Sequence, residues 1–204
     1  MKILIIGKGG REHALAWKLS QNPRIEQIYI AEGNAGCELL PKVKNILLNQ
    51  IDELLDFAKQ QQINLTIVGS EELLVQGIVD EFQACDLKIF GPNQHAAQLE
   101  GSKVFAKEFM NKYGIKTAQH QSFNDYAAAL KYLDQIYYPI VIKASGLAAG
   151  KGVVIAQNRD EAEIALADML LEQVFGASGC EVVIEEFLVG VEASILAFTD
   201  CNVI

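Results

Sequence analysis

Two lysines in a glycine-rich turn are the residues whose spacing points most directly to chemistry. Lys143 follows the apolar run 140–142, and Lys151 lies within the turn, just before a second apolar run, 153–155. Glycines in the turn permit backbone conformations closed to other residues and let amide N–H groups approach an anion. The segment therefore predicts a β-hairpin whose flexible tip covers a polyphosphate.

Two other interpretations of this segment remain. A P-loop has four residues between its first glycine and its Gly-Lys pair, then Ser or Thr, then a helix. Here three residues separate Gly146 from Gly150, Gly152 takes the Ser/Thr position, and an apolar run typical of a strand follows. These three departures argue against a P-loop. A plain surface hairpin, kept soluble by its lysines, is the second interpretation, but such hairpins seldom need three glycines beside two lysines.

A second glycine-rich turn, residues 7–10, lies between the apolar run 3–6 and a segment with a helical pattern. Backbone N–H groups at the start of a helix bind phosphate, so this turn is another candidate anion site. A dinucleotide-binding motif would need glycine at position 12, where this sequence has Glu12, although Glu32 resembles the ribose-binding acid of such proteins. A nicotinamide dinucleotide site stays open as an alternative at this turn.

The elements that must position these turns alternate between strands and helices in the first half of the chain. Ile51, Leu54, Leu55 and Ala58 occupy the i, i+3, i+4 and i+7 positions of one helical face. Such alternation predicts a parallel sheet built from βαβ units. The predicted strands are 3–6, 25–30, 65–68 and 87–90, and the predicted helices are 12–21, 51–60 and 73–85.

The second half predicts an antiparallel sheet with two helices on one face, after a helical connector around 101–113. Ser122 or Asn124 is expected to cap the first helix, which runs to residue 135. Asn158 or Asp160 is expected to cap the second, which runs to residue 171. The predicted strands are 140–143, 153–156, 182–186 and 193–198. The fold class is thus α/β, a parallel-sheet domain followed by an α+β lid.

Composition limits the classes of function. The 204 residues exceed one average domain, and 50% of them are hydrophobic, so a sizeable core is available. The formal net charge of -9 argues against nucleic-acid binding, which needs a basic face. Four scattered cysteines without a C-x-x-C pair indicate neither a zinc site nor a disulfide framework. With no signal peptide or membrane-length apolar run in view, we expect a cytoplasmic protein.

Six motifs occur in order along essentially the whole chain. They are G-K-G-G-R-E-H-A-L-A-W-K (7–18), G-N-A-G (33–36), L-K-I-F-G-P (87–92), A-Q-L-E-G-S-K (97–103), A-S-G-L-A-A-G-K-G-V (144–153) and V-I-E-E-F-L-V-G-V-E-A-S (183–194). Together they resemble the phosphoribosylamine–glycine ligase family of ATP-grasp enzymes. The resemblance implies a Rossmann-like substrate domain followed by an ATP-grasp lid.

This resemblance also implies an activity. The family ligates glycine to 5-phosphoribosylamine through a glycyl phosphate intermediate in purine biosynthesis, with ATP as a substrate and magnesium or manganese as the metal. The implied partners are those small molecules, with no nucleic acid and no membrane. The alternatives are a nucleotide-binding fragment without catalysis and another ATP-grasp carboxylate–amine ligase, such as a carboxylase component, which the motif at 7–18 argues against.

Residue roles follow from the same resemblance. Lys103 and Lys143 match the two lysines that bind the nucleotide's phosphates and are the expected catalytic residues. Glu71 lies in G-S-E-E-L, where the family usually has G-P-E-x-P-L, so two stiffening prolines are replaced. The residues implied for the phosphoribosylamine side are Gly9, Gly10, Arg11 and Glu71. Those implied for ATP, besides the two lysines, are Gly150, Lys151, Gly152, Glu185, Phe187, Leu188 and Glu192.

The expected domains are a substrate domain (1–102), a helical connector (103–121), an ATP-grasp lid (122–190) and the start of a central ATP-grasp domain (191–204). Residues 199–202 read as a hairpin turn, and Val203 and Ile204 read as the start of a strand. We therefore expect the metal ligands to lie beyond residue 204 and the isolated chain to be inactive.

Overall fold

The structure is a computed structural model that describes residues 1–148, 150–195, 197 and 199. The chain divides into two compact units. Unit 1 comprises Met1–Ile115 and Ser145–Gly150, and unit 2 comprises Lys116–Ala144 and Lys151–Ile204. Each unit has its own sheet, one parallel and one antiparallel, which confirms the predicted fold class.

Unit 1 is built on a five-stranded parallel sheet with the strand order β3-β2-β1-β4-β5. Its central strand is buried on both faces, as is typical of parallel sheets covered by helices. Ile3 and Ile5 pack into the core on one face, and Leu4 and Ile6 pack with Phe82 on the other. The strands are β1 (Lys2–Gly7), β2 (Gln27–Glu32), β3 (Val43–Ile46), β4 (Leu65–Val68) and β5 (Ile89–Phe90).

The predicted helices of unit 1 are present with one correction, and the helices at Ala35–Glu38 and Gln94–Gly101 were not predicted. Leu54, Leu55 and Ala58 are buried, which confirms the helical face predicted for that segment. The helix predicted over 73–85 is two helices, because Gly77 has a φ of +93° between them and this left-handed conformation ends the first. The helices are α1 (Gly10–Ser20), α2 (Ala35–Glu38), α3 (Ile51–Gln61), α4 (Glu71–Val75), α5 (Ile78–Ala84), α6 (Gln94–Gly101) and α7 (Lys103–Lys112).

Unit 2 contains a four-stranded antiparallel sheet with the order β6-β9-β7-β8. One face is covered by two helices, against which Ile140, Ile142 and Val182 are buried. The strands are β6 (His120–Phe123), β7 (Ile140–Ala144), β8 (Val153–Ala156) and β9 (Val182–Glu186). The helices are α8 (Tyr126–Leu133) and α9 (Arg159–Leu170), and a short 3-10 turn spans Gly176–Gly179.

The glycine-rich hairpin and the helix caps of unit 2 were predicted from the sequence. The β7–β8 hairpin around the glycine-rich turn is confirmed, as is Asn158 as the cap of α9. Asp125, rather than Ser122 or Asn124, caps α8, because its side chain accepts a hydrogen bond from Ala128 N–H.

The end of the chain departs from the prediction. The described residues of the predicted strand 193–198, which are 193–195 and 197, are not in a strand, whereas β6 was not predicted. Residues 196 and 198, the expected turn residues 200–202, Val203 and Ile204 lie outside the described residues. Cys37, Cys85 and Cys180 are free thiols, and Cys201 lies outside the described part.

Candidate functional site

The first candidate site lies at the carboxyl ends of β1, β2 and β4 in unit 1. The strand order reverses beside β1, and open parallel sheets bind ligands at such a switch point. The N–H of Gly33 donates to the carbonyl of Gly7 at 3.3 Å, and the N–H of Gly69 donates to the carbonyl of Ile6 at 2.8 Å. These bonds hold the three turns that follow the strands side by side.

Arg11 and Glu71 meet at this edge, although they are 60 residues apart in sequence. The guanidinium of Arg11 donates to Oε1 of Glu71, and this hydrogen bond, followed by the charge of Glu71, raises the pKa of Arg11. Burial acts to raise the pKa of Glu71, but the hydrogen bond from Arg11, a backbone hydrogen bond and the charge of Arg11 leave it below its usual value. The residues predicted to hold phosphate and ribose are therefore ion-paired.

The Gly9–Gly10 turn supplies the start of α1. The N–H of Gly9 donates to Oε2 of Glu12 at 2.6 Å, so this amide, predicted for phosphate, is engaged by a carboxylate of its own helix. A Cβ added at Gly10 would meet no atom within 4 Å, so Gly10 faces open space. Lys8 at the same turn pairs with Glu32 at 3.2 Å.

The second candidate site lies at the start of α7, where the first residues of the glycine-rich turn are attached. Nζ of Lys103 donates to the carbonyl of Gly146 at 3.1 Å, and its backbone N–H donates to the carbonyl of Ser145 at 2.8 Å. The hydroxyl of Ser145 accepts from Val104 N–H and lies 3.3 Å from the hydroxyl of Ser102. Sequence reasoning missed Ser145, and the Ser-Gly pair at the start of the turn was the available signal.

The third candidate site is one face of the unit 2 sheet. Lys143 lies opposite Val183, and Glu185 lies opposite Val141 two residues along, so both charged side chains are on the face away from the helices. Nζ of Lys143 lies 3.0 Å from Oε2 of Glu185. The lysine side chain is 29% exposed and the glutamate 6%, so the carboxylate is buried beneath a partly accessible ammonium group.

The same face carries two apolar residues that sequence reasoning placed on the return strand without a role. Val153 lies opposite Lys143, and Ile155 lies opposite Val141. These two side chains are 44% and 48% exposed, whereas Ala156, which points to the other face, is buried. The sequence of β8, V-V-I-A, carried no signal of this face, because its residues are apolar on both faces.

The remaining predicted nucleotide residues flank these strands. Gly150 has a φ of +77°, a left-handed conformation that glycine adopts without strain. Lys151 is exposed before β8, whereas Gly152 is buried and its carbonyl accepts from Ala144 N–H at 2.8 Å. After β9 the exposed residues include Phe187, Leu188 and Glu192.

Lys103 belongs to unit 1 and Lys143 to unit 2. The convergence of their ammonium groups on one triphosphate therefore stays a prediction. Among the described residues, no group of three or more His, Cys, Asp and Glu side chains is arranged to hold a metal ion. In the same residues, no helix has both the length and the apolar character needed to cross a bilayer.

Comparison with known proteins identifies the class first. The architecture is that of ATP-grasp proteins, and residues 101–204 match the profile "Phosphoribosylglycinamide synthetase, ATP-grasp (A) domain". Residues 1–100 match "Phosphoribosylglycinamide synthetase, N domain". The chain therefore belongs to the phosphoribosylglycinamide synthetase family.

Individual relatives agree with this assignment. Phosphoribosylamine–glycine ligase of Fusobacterium nucleatum is 62% identical over 204 residues, which are 100% of this chain and 48% of that protein. The ligase of Escherichia coli strain K12 is 54% identical over 202 residues, or 98% of this chain and 47% of that protein. The chain thus spans about half the length of the curated relatives it matches.

Solved structures give the same result for the fold. The crystal structure of phosphoribosylamine–glycine ligase from Thermotoga maritima matches with a TM-score of 0.75 and 30% identity, covering 94% of this chain and 45% of that one. A biotin carboxylase from Campylobacter jejuni matches with a TM-score of 0.73 at 19% identity over 92% of this chain and 45% of that one, which shows a shared fold alone.

Proposed function

We propose that these 204 residues form part of an enzyme that ligates glycine to 5-phosphoribosylamine at the expense of ATP. The observation that carries the proposal is that the two successive domain profiles of one synthetase family match the chain from end to end. In the proposed reaction, a glycine carboxylate oxygen attacks the γ-phosphorus and ADP leaves. The amine of the sugar phosphate then attacks the acyl carbon, phosphate leaves, and the amine loses a proton.

The substrate side of this reaction is assigned to the edge of the unit 1 sheet. Arg11 presents the fork of donors that suits a phosphate, and the start of α1 adds backbone N–H groups. Because Glu71 pairs with Arg11, a phosphate would compete with that carboxylate for the guanidinium. Glu71 would then be available to accept from ribose hydroxyls. Since Gly9 N–H is engaged by Glu12, the backbone contact falls to Gly10.

The nucleotide is assigned to the exposed sheet face of unit 2 and to the glycine-rich turn. Val153 and Ile155 offer a partly exposed apolar surface beside Lys143, the combination that a base and its phosphates require. The backbone of the strand end at Glu185, with Phe187 and Leu188, is proposed to contact adenine, and Glu192 the ribose. Gly150, Lys151 and Gly152 would cover the phosphates and exclude water.

The two lysines are proposed to act on the triphosphate by charge. Lys103, at the start of α7, and Lys143 would stabilise the negative charge that develops on the transferred phosphoryl group. Magnesium or manganese would supply further charge there when bound. We assign it no ligand among the described residues, which contain no suitable cluster. We also propose a cytoplasmic location and small-molecule partners only, in keeping with the -9 net charge.

Two measurements test the proposed function. The complete protein that carries this sequence should form ADP and glycinamide ribonucleotide from glycine, Mg-ATP and 5-phosphoribosylamine, and the variant Lys143→Ala should lose turnover. The 204-residue chain should bind Mg-ATP in a calorimetric titration and not NAD. Undiminished turnover of Lys143→Ala would contradict the role of that lysine, and NAD binding without ATP binding would contradict the proposed activity altogether.

A further inference from the structure

A buried carboxylate oxygen lies between the ends of β1 and β4, and the roles proposed above do not use it. The side chain of Glu12 is 4% exposed, and its Oε2 accepts the hydrogen bond from Gly9 N–H. Within the part of the chain that the structure describes, its Oε1 accepts no hydrogen bond and lies 3.9 Å from Nε of Arg11. Buried polar atoms are normally hydrogen-bonded, so an oxygen left in this state needs an explanation.

Three glycines leave space for this carboxylate. A Cβ at Gly69 would lie 1.9 Å from Oε1 of Glu12, one at Gly7 would lie 2.9 Å from its Cδ, and one at Gly9 would lie 3.0 Å from Oε2. Capping of α1 requires only Oε2 and Gly9 N–H, so capping does not account for the space kept at Gly69. The backbone holds Oε1 at the switch point of the sheet, which is the place where this fold binds ligands.

The charges at this point favour a hydrogen-bond donor over an anion. Glu12 and Glu71 place two carboxylates beside the single guanidinium of Arg11. The Glu12 carboxylate also engages the N–H of Gly9 at the positive start of α1, which leaves the N–H of Gly10 for a phosphate. A phosphate oxygen would be repelled at Oε1, whereas an amine or a hydroxyl would complete its hydrogen bonding.

We propose that Oε1 of Glu12 binds the amine on C1 of the sugar phosphate, and so selects and orients the group that attacks the acyl carbon. This inference rests on the proposed function and adds a specificity residue to its substrate site. The sugar phosphate would lie with its C1 end at the crevice between β1 and β4 and its phosphate at Gly10 and Arg11.

The test compares two ligands that differ only at C1. Ribose 5-phosphate carries a hydroxyl donor there, as a stable substitute for the amine, and 1,4-anhydroribitol 5-phosphate carries none. Calorimetric titration of the 204-residue chain should show ribose 5-phosphate binding about tenfold tighter. In Glu12→Gln the preference should fall to about twofold, because Gly9 N–H retains the amide oxygen and the amide NH₂ can only donate to the C1 hydroxyl, a neutral hydrogen bond that is weaker than the one a carboxylate accepts. The control Glu72→Gln removes an exposed carboxylate on α4 and should keep the preference.

The possible outcomes distinguish a failure of the proposed sugar-phosphate site from a failure of the role assigned to Glu12. A wild-type chain that binds neither ligand overturns the assignment of the sugar phosphate to this edge and this inference with it. Equal binding of the two ligands by the wild type, or an unchanged preference in Glu12→Gln, overturns the role of Glu12 and leaves the proposed function standing. If Glu12→Gln does not fold, the ¹³Cδ resonance of Glu12 in the wild type gives the answer. It should shift with ribose 5-phosphate and not with the analogue, and equal shifts contradict the inference.

Discussion

Removal of the ammonium group of Lys143 should weaken both folding and nucleotide binding, and the two effects can be separated. The change Lys143→Met keeps most of the aliphatic stem but removes the ammonium group that lies 3.0 Å from the carboxylate of Glu185, which is 6% exposed. A hydrogen bond to a charged group contributes about 1.5–3 kcal/mol. Since Lys143 is 29% exposed and water screens the pair, we expect about 1–2 kcal/mol, measured from urea unfolding.

The double variant Lys143→Met/Glu185→Gln removes both charges and should regain about 1 kcal/mol relative to the sum of the single variants. Its affinity for Mg-ATP should nevertheless stay at least about tenfold below that of the wild type, because a charge-assisted hydrogen bond to phosphate is lost. Lys131→Met, which removes an exposed charge from α8, is the matched control and should change neither quantity.

Two results would refute this reasoning in different places. Wild-type affinity for Mg-ATP in the stable double variant would show that Lys143 serves only to pair with Glu185. An unchanged free energy of unfolding in the single variant would show that the pair does not support the fold.

Two further predictions concern unit 1. Gly69→Ala should destabilise the protein by about 1–3 kcal/mol, because its Cβ would lie 1.9 Å from Oε1 of Glu12. The double variant Gly69→Ala/Glu12→Ala should lose less free energy of unfolding than the two single variants lose together. The control Gly10→Ala should change the free energy of unfolding by no more than about 0.5 kcal/mol. The depressed pKa of Glu71 means that its pairing with Arg11 stabilises the fold fully above the ordinary value of 4.5 and is lost as the pH falls through the folded-state value. The wild type should therefore lose stability below pH 4.5 more steeply than Glu71→Gln. The difference should be under about 1 kcal/mol, because the Glu71 side chain is 40% exposed. The same dependence of the free energy of unfolding on pH in both proteins, measured by urea unfolding, would contradict this.

The sequence predicted those elements whose hydrophobic pattern is strong and local. The strand β1 and the helix α3 have unmistakable periods, and the β7–β8 hairpin has two apolar runs around its glycines. The elements that were missed are short or polar, as in β6, whose sequence is H-Q-S-F, and β3, whose sequence is V-K-N-I. These strands form because neighbouring strands supply hydrogen bonds, and that contribution is not local in sequence.

The sequence supplied candidate residues for the site but not the contacts between them. The motifs pointed to Arg11 and Glu71, yet their pairing depends on β1 and β4 being neighbours. Likewise, Lys143 meets Glu185 because β9 lies beside β7 in the sheet, although 42 residues separate them. Strand order depends on how whole layers pack, so a local sequence pattern does not predict which charged side chains will be neighbours across strands.

The two pairs show one physical arrangement at two sites of an acidic protein. In each, a cation predicted to bind phosphate already contacts a carboxylate, Glu71 for Arg11 and Glu185 for Lys143. Such a partner holds the long side chain in one orientation, which lowers the entropy lost when a ligand binds. The carboxylate partner also offsets part of the cation's attraction to an anion. A ligand must therefore offer more negative charge or more hydrogen-bond acceptors than one carboxylate does. A phosphate carries more charge and more acceptor oxygens than a carboxylate, so this arrangement would favour phosphorylated ligands over simple acids at the two proposed sites.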